Sequence, residues 1–146
     1  ADFSSQEKES LRVGFRRYND FVGVERFSLV PTQGCPIERH DYPLDDQGNP
    51  IHNGTYRKYN RTMWLGTDVV DDSGLQLLVM HELGHADGMN HLAEGQTGVM
   101  MANNITIGYT LLPDGNYAYI RKATDWTWSD RSECERSDAC SDHHLP

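Results

Sequence analysis

From residue 4 to residue 19 apolar side chains return at helical spacing. Leu11, Phe15 and Tyr18 form one stripe, with Val13 or Phe21 at its margin, while Arg12, Arg16 and Arg17 point towards solvent or the helix end. Ser4 or Ser5 stands where an N-cap is needed, and Glu7 and Glu9 follow in the first turn, where carboxylates complement the helix dipole. At Gly23 the period changes to two, so residues 23–30 predict a strand ending before Pro31. Residues 33–59 read as loop, punctuated by Gly34, Pro36, Pro43, Gly48 and Pro50. Within them, Asn53–Gly54 is a hairpin signal that can join short strands around Ile51 and residues 56–59.

Alternation is clearest at residues 61–70, where Met63, Leu65 and Val69 oppose Trp64, Thr67 and Asp68, and a strand is expected there. Asp72 or Ser73 then caps a helix expected over about 74–87, which packs through Leu75, Leu78, Val79 and Ala86. Beyond residue 91 the pattern is a polar connection at 93–98, an apolar run at 99–102 and a turn at 113–116. A last helix is expected within 123–140, starting near Thr124 or Ser129, with Trp126 and Trp128 covering the core. His143 and His144 read as a loose tail. Strands and helices in this order predict an α+β fold.

The 146 residues suffice for one domain, 1–146, with a real core but not for two. No apolar run reaches membrane-spanning length, so no membrane partner is expected. A net charge of −9 argues against a nucleic-acid partner and favours a well-solvated, extracellular protein; a secreted monomer is expected. The first residue is alanine and no signal segment is recognisable, which reads as a processed chain. Three cysteines, Cys35, Cys134 and Cys140, allow one intramolecular bridge, and the spacing does not choose the pair. Sequons for N-glycosylation stand at Asn53, Asn60 and Asn104. Asp41, Asp45 and Asp46 offer oxygen ligands, but their spacing is not that of an EF-hand. A solvated loop is the better reading, and calcium is unsupported.

The densest chemistry is the run His81-Glu82-Leu83-Gly84-His85-Ala86-Asp87-Gly88-Met89-Asn90-His91, which reads H-E-x-x-H-x-x-G-x-x-H. Residues four apart share a helix face, so His81 and His85 can turn two imidazoles to one ion. Glu82 lies about 100° round the helix, beside the ion rather than on it. Gly88 suits the left-handed turn that ends many helices, after which His91 can return as a third ligand. Three neutral imidazoles, an open position and an adjacent carboxylate suit one hydrolytic zinc ion.

This eleven-residue motif resembles the signature of the metzincin zinc peptidases. The combination of H-E-L-G-H with G-M-N-H is most similar to the matrixin branch and its small bacterial or fungal secreted relatives. The resemblance is strong over residues 75–101 and architectural elsewhere. It implies a small mixed, twisted sheet, a long zinc-binding helix, a methionine turn and a C-terminal helix. The upper part would span about 1–88 and the lower part about 89–146. It also implies a catalytic zinc held by His81, His85 and His91, with Glu82 as general base and then acid. Met100 would lie beneath the metal, Met101 being the other candidate. A protein or peptide substrate would add to residues 62–70 as the edge strand, at Trp64, Leu65 and Gly66. Residues 103–109, ending at Tyr109, would form the outer pocket wall, and Tyr109, Tyr117 or Tyr119 would face the oxyanion.

Three departures leave the branch open. Leu92 follows His91, no tyrosine stands two residues beyond the methionine, and the 80 residues before His81 are fewer than in vertebrate matrixins; no histidine-rich segment matches their structural zinc site either. Gly34–Cys35–Pro36 is superficially similar to the cysteine that holds matrixins latent, but a structural disulfide is favoured for Cys35. Against the endopeptidase stand a catalytically inactive zinc-binding module and an amidase acting on a small metabolite. Glu82 speaks against the first, and the strand preceding the helix against the second.

Overall fold

The structure is a computed structural model that describes residues 3–57, 60–87 and 140–145. Among the described residues, two helices and a five-stranded mixed sheet make up an α+β arrangement. Helix α1 (Ser5–Val22) begins in a capping box. The Ser4 hydroxyl accepts from the Glu7 N–H at 3.1 Å and the Glu7 carboxylate accepts from the Ser4 N–H at 2.8 Å. Its end is a left-handed glycine, Gly23 at φ 82°, whose N–H donates to the Asn19 carbonyl. Leu11, Phe15 and Tyr18 are all buried, as their spacing predicts, and the helix runs three residues past the expected end.

After a short β1 (Ser28–Leu29) comes β2 (Cys35–His40), inside the stretch that reads as loop. Then follow β3 (Gly54–Arg57) and β4 (Thr62–Gly66). The sheet order is β1-β5-β2-β4-β3, where β5 (Asp142–His144) is the C-terminal strand. β2 and β4 are parallel, with Ile37 opposite Met63 and Arg39 opposite Leu65. β3 and β4 are antiparallel, with Tyr56 opposite Met63. Gly54 starts β3, which pairs with β4 rather than with a strand at Ile51; Ile51 is exposed.

β5 corrects the reading of His143 and His144 as a tail. It lies parallel between β1 and β2, and a disulfide from Cys35 to Cys140, 105 residues apart, fixes it there. This resolves the pairing that the sequence left open. His143 is fully buried, packed edge-on against Phe15 and Phe27 at 5.7 Å between ring centroids.

Helix α2 (Asp72–Ala86) packs against α1, and both contribute to one core with the sheet's inner face. Close approach requires a glycine: a Cβ at Gly14 would strike Val79 Cγ1 and stand 3.2 Å from the Gln76 carbonyl oxygen. Ser10 and Gln76 both donate to Asp72 Oδ1, at 2.7 and 2.8 Å, which joins α1 to the start of α2. Arg39 points inward but is satisfied. It donates to the Gly66 and Val69 carbonyls at 2.6 and 2.8 Å and pairs with Glu7 at 2.7 Å. Among the described residues, no helix is long and apolar enough to cross a membrane.

Candidate metal centre

α2 is built to be buried on nearly every side. Its residues from Gly74 to Gly84 are buried throughout, with Ala86 beyond them. Asp71, one residue before the expected caps, holds its start by accepting from the Gly74 N–H at 2.9 Å. At the other end the Asp87 N–H donates to the Leu83 carbonyl at 3.0 Å. The Asp87 side chain, also fully buried, is gripped from outside the helix. Its Oδ2 accepts from the Tyr18 hydroxyl at 2.6 Å and its Oδ1 from Arg26 Nε at 2.9 Å.

Between those fixed ends the motif histidines converge. His81 Nε2 and His85 Nε2 are 3.1 Å apart, with the rings at 86° to one another. Two nitrogens each about 2.1 Å from a tetrahedral zinc ion stand about 3.4 Å apart, so the pair is close to the spacing a shared ion requires. Glu82 is beside them and buried, and its Oε1 has no hydrogen-bond partner among the described residues. Burial pushes the Glu82 carboxyl up to about 8, opposed by a hydrogen bond from the Tyr56 backbone N–H. A buried carboxylate oxygen with nothing donating to it is costly, and a cation or a proton-bearing reactant is its natural complement. The donor set therefore fits a zinc ion. Among the described residues no third histidine, cysteine, aspartate or glutamate completes a metal-binding group. His91, Met100 and Tyr109, with the methionine turn and C-terminal helix, lie outside the described residues.

The expectation that residues 62–70 form the sheet edge is corrected. β4 is interior, hydrogen-bonded to β2 on one side and β3 on the other, because β3 folds back onto it. Leu65 is fully buried in the core. The Gly66 N–H is taken by the Asn53 carbonyl at 2.7 Å. Trp64 faces the opposite side of the sheet, stacked on His40 at 3.8 Å with the Arg57 guanidinium 4.3 Å from its ring centroid.

Among the described residues the edge beside α2 is β3. The bond from the Gly66 N–H to the Asn53 carbonyl fixes the alternation of the antiparallel ladder. Thr55 and Arg57 therefore bond to β4, while the backbone groups of Gly54 and Tyr56 point out from the edge. Neither Gly54 nor Tyr56 stands out in the sequence as a site residue, and only the fold brings them to Glu82. Asp87 did carry a signal, an acid next to the glycine at the end of an apolar helix. Compared with protein-family models, curated proteins and solved structures, the chain matches none.

Proposed function

We propose that this chain is a zinc-dependent endopeptidase of metzincin-like type, acting on protein or peptide substrates. The observation that carries the reading is the 3.1 Å convergence of His81 and His85 Nε2 beside a buried Glu82 carboxylate oxygen that has no hydrogen-bond partner among the described residues. His91 is proposed as the third ligand, and Met100 as the residue beneath the metal. When bound, zinc supplies Lewis-acid polarisation of the scissile carbonyl and acidifies water at neutral pH. Glu82 takes a proton from the attacking water and passes it to the leaving amine. Its burial favours that role, since a carboxyl whose proton affinity is raised accepts a proton more readily than a solvated one. The substrate strand adds to β3 through the outward backbone of Gly54 and the carbonyl of Tyr56, in place of β4. The disulfide favours an oxidising, extracellular setting.

The test is cleavage of denatured protein and of a mixed peptide library, with and without chelator, alongside metal analysis and Glu82→Ala. One zinc per chain is expected in both proteins, with chelator-sensitive cleavage in the wild type and none in the variant. Zinc retained with no cleavage by either would return the chain to the inactive zinc-binding module.

A further inference from the structure

We infer that β5 is a detachable strand: the Cys35–Cys140 disulfide holds it in the sheet, and reduction of that bond by a dithiol releases it from an otherwise intact fold. Apart from the bridge, little fastens it. On one side the Ser28 and Val30 N–H groups donate to the Ser141 and His143 carbonyls at 2.9 and 2.8 Å. On the other, β2 offers two register pairs, one of them at Pro36, which has no N–H to give. The side chain that β5 places in the core is a poor anchor. His143 lies among Phe15, Phe27 and Tyr56, at 5.7, 5.7 and 6.1 Å between ring centroids. Its Nδ1 has no hydrogen-bond partner among the described residues, and its Nε2 is 3.5 Å from the Tyr56 hydroxyl, the limit of a hydrogen bond. A buried imidazole placed in this way forfeits hydrogen bonds that water gives it outside.

The rest of the fold has its own support. β2 and β4 share four register pairs, β3 and β4 another four, and both helices join one core with them. Among the described residues β1 alone has no sheet partner but β5. Both bridge cysteines are half-buried, within reach of a small thiol. One thiolate of the dithiol attacks a sulfur of the bridge, and the other cysteine leaves as a thiolate that takes up a proton. The reagent's second thiol then closes on its first, freeing the remaining cysteine. Two electrons and two protons pass to the protein, and the reagent departs as a cyclic disulfide. Departure of β5 opens the sheet between β1 and β2 and bares the seat formed by Phe15, Phe27 and Tyr56. The release needs neither zinc nor substrate.

Amide hydrogen exchange followed by NMR reads the release on the full, zinc-free chain, before and after dithiothreitol, at neutral pH without denaturant. In the reduced protein the Ser28 and Val30 amides should exchange within about tenfold of the unstructured rate. The Gly66 and Asp87 amides, bonded to the Asn53 and Leu83 carbonyls, should stay protected by about a hundredfold or more. His143→Phe, which puts an apolar ring in the seat, should restore about tenfold protection to Ser28 and Val30 in the reduced state, and His143→Leu serves if the phenylalanine variant does not fold. Ser28 and Val30 amides that stay protected after reduction overturn the inference. So does loss of protection at Gly66 and Asp87 as well, which would make the bridge a staple of the whole fold. A reduced His143 variant no better protected than reduced wild type also overturns it, since another group would then decide whether the strand stays.

Discussion

The Tyr18 hydroxyl donates to the Asp87 carboxylate at 2.6 Å, across 69 residues of sequence, and ties α1 to the end of the helix that carries His81 and His85. Arg26 completes the grip at 2.9 Å, with a largely buried guanidinium against a fully buried carboxylate. Hydrogen bonds to buried charges contribute about 1.5–3 kcal/mol, and removing one member of a buried ion pair costs about 3–5 kcal/mol. Tyr18→Phe should therefore lower the free energy of unfolding by about 2 kcal/mol, and Asp87→Ala by about 4 kcal/mol. Urea denaturation of the two variants checks the order. Equal and negligible losses would mean that the clamp does not stabilise the end of α2.

The disulfide makes a second prediction. β5 is three residues long, with two register pairs to β1 and two to β2, so little backbone pairing holds it. Closing a loop of about 100 residues is worth about 4–5 kcal/mol in the chain-entropy model. Cys35→Ser/Cys140→Ser should lose stability on that scale, and reduction should bring the wild type to the same midpoint in urea. Thiol titration of the unreduced, denatured chain should find one free thiol, since three cysteines are present and two are bonded.

His143 predicts how stability depends on pH. Burial lowers its pKa to about 4, assisted by the positive charges of Arg26 and His144. Phe15, Phe27 and Tyr56 surround the ring, with the Tyr56 hydroxyl 3.5 Å from Nε2 and, among the described residues, no partner at Nδ1. The unfolded chain binds this proton at its ordinary value of about 6.5, before the folded chain does. The contribution is thus fully present above about pH 6.5 and is lost as pH falls towards 4. Over that window it amounts to about 3 kcal/mol. Denaturation midpoints measured from pH 7 to pH 4 should fall more steeply in the wild type than in His143→Phe. Parallel curves would assign the acid sensitivity to other groups.

Different physical terms separate what the sequence disclosed from what it hid. α1 was legible because local periodicity and capping decide it: Leu11, Phe15 and Tyr18 are buried as spaced, and Ser4 caps as its type suggests, whereas α2 is capped by Asp71, one residue before the expected caps, and is buried on nearly every side. The His81–His85 pair was legible for the same reason, since helical geometry alone puts them on one face. β2 was hidden because its inward positions are Ile37 and Arg39, and an arginine inside a sheet reads as polar until its partners Glu7, Gly66 and Val69 are known. β5 was hidden more completely. Asp142, His143 and His144 carry no strand signal, and their place is fixed by a disulfide and by strands more than 100 residues earlier. The same long-range pairing moved the sheet edge from β4 to β3, which alternation within residues 61–70 could not reveal.

Metal binding supplies the last prediction, and it needs no substrate. The two imidazoles at 3.1 Å and the buried Glu82 sit on a helix held at both ends, by Asp71 and by the Asp87 clamp. The unfolded chain has no such arrangement, so zinc held at the proposed site would favour the folded state and stabilise it by mass action. At free zinc about 1,000 times the dissociation constant the gain is about 4 kcal/mol. For a chain of this size each kcal/mol moves Tm by about 2–4 °C, so zinc should raise Tm by about 10 °C and chelator should reverse the shift. His85→Ala should abolish the shift while leaving the zinc-free Tm close to that of the wild type, because His85 is only partly buried. Glu82→Ala should keep most of the shift, since Glu82 is proposed as the proton carrier and not as a ligand. A shift that survives His85→Ala would place the zinc elsewhere in the chain and remove the basis for the proposed chemistry.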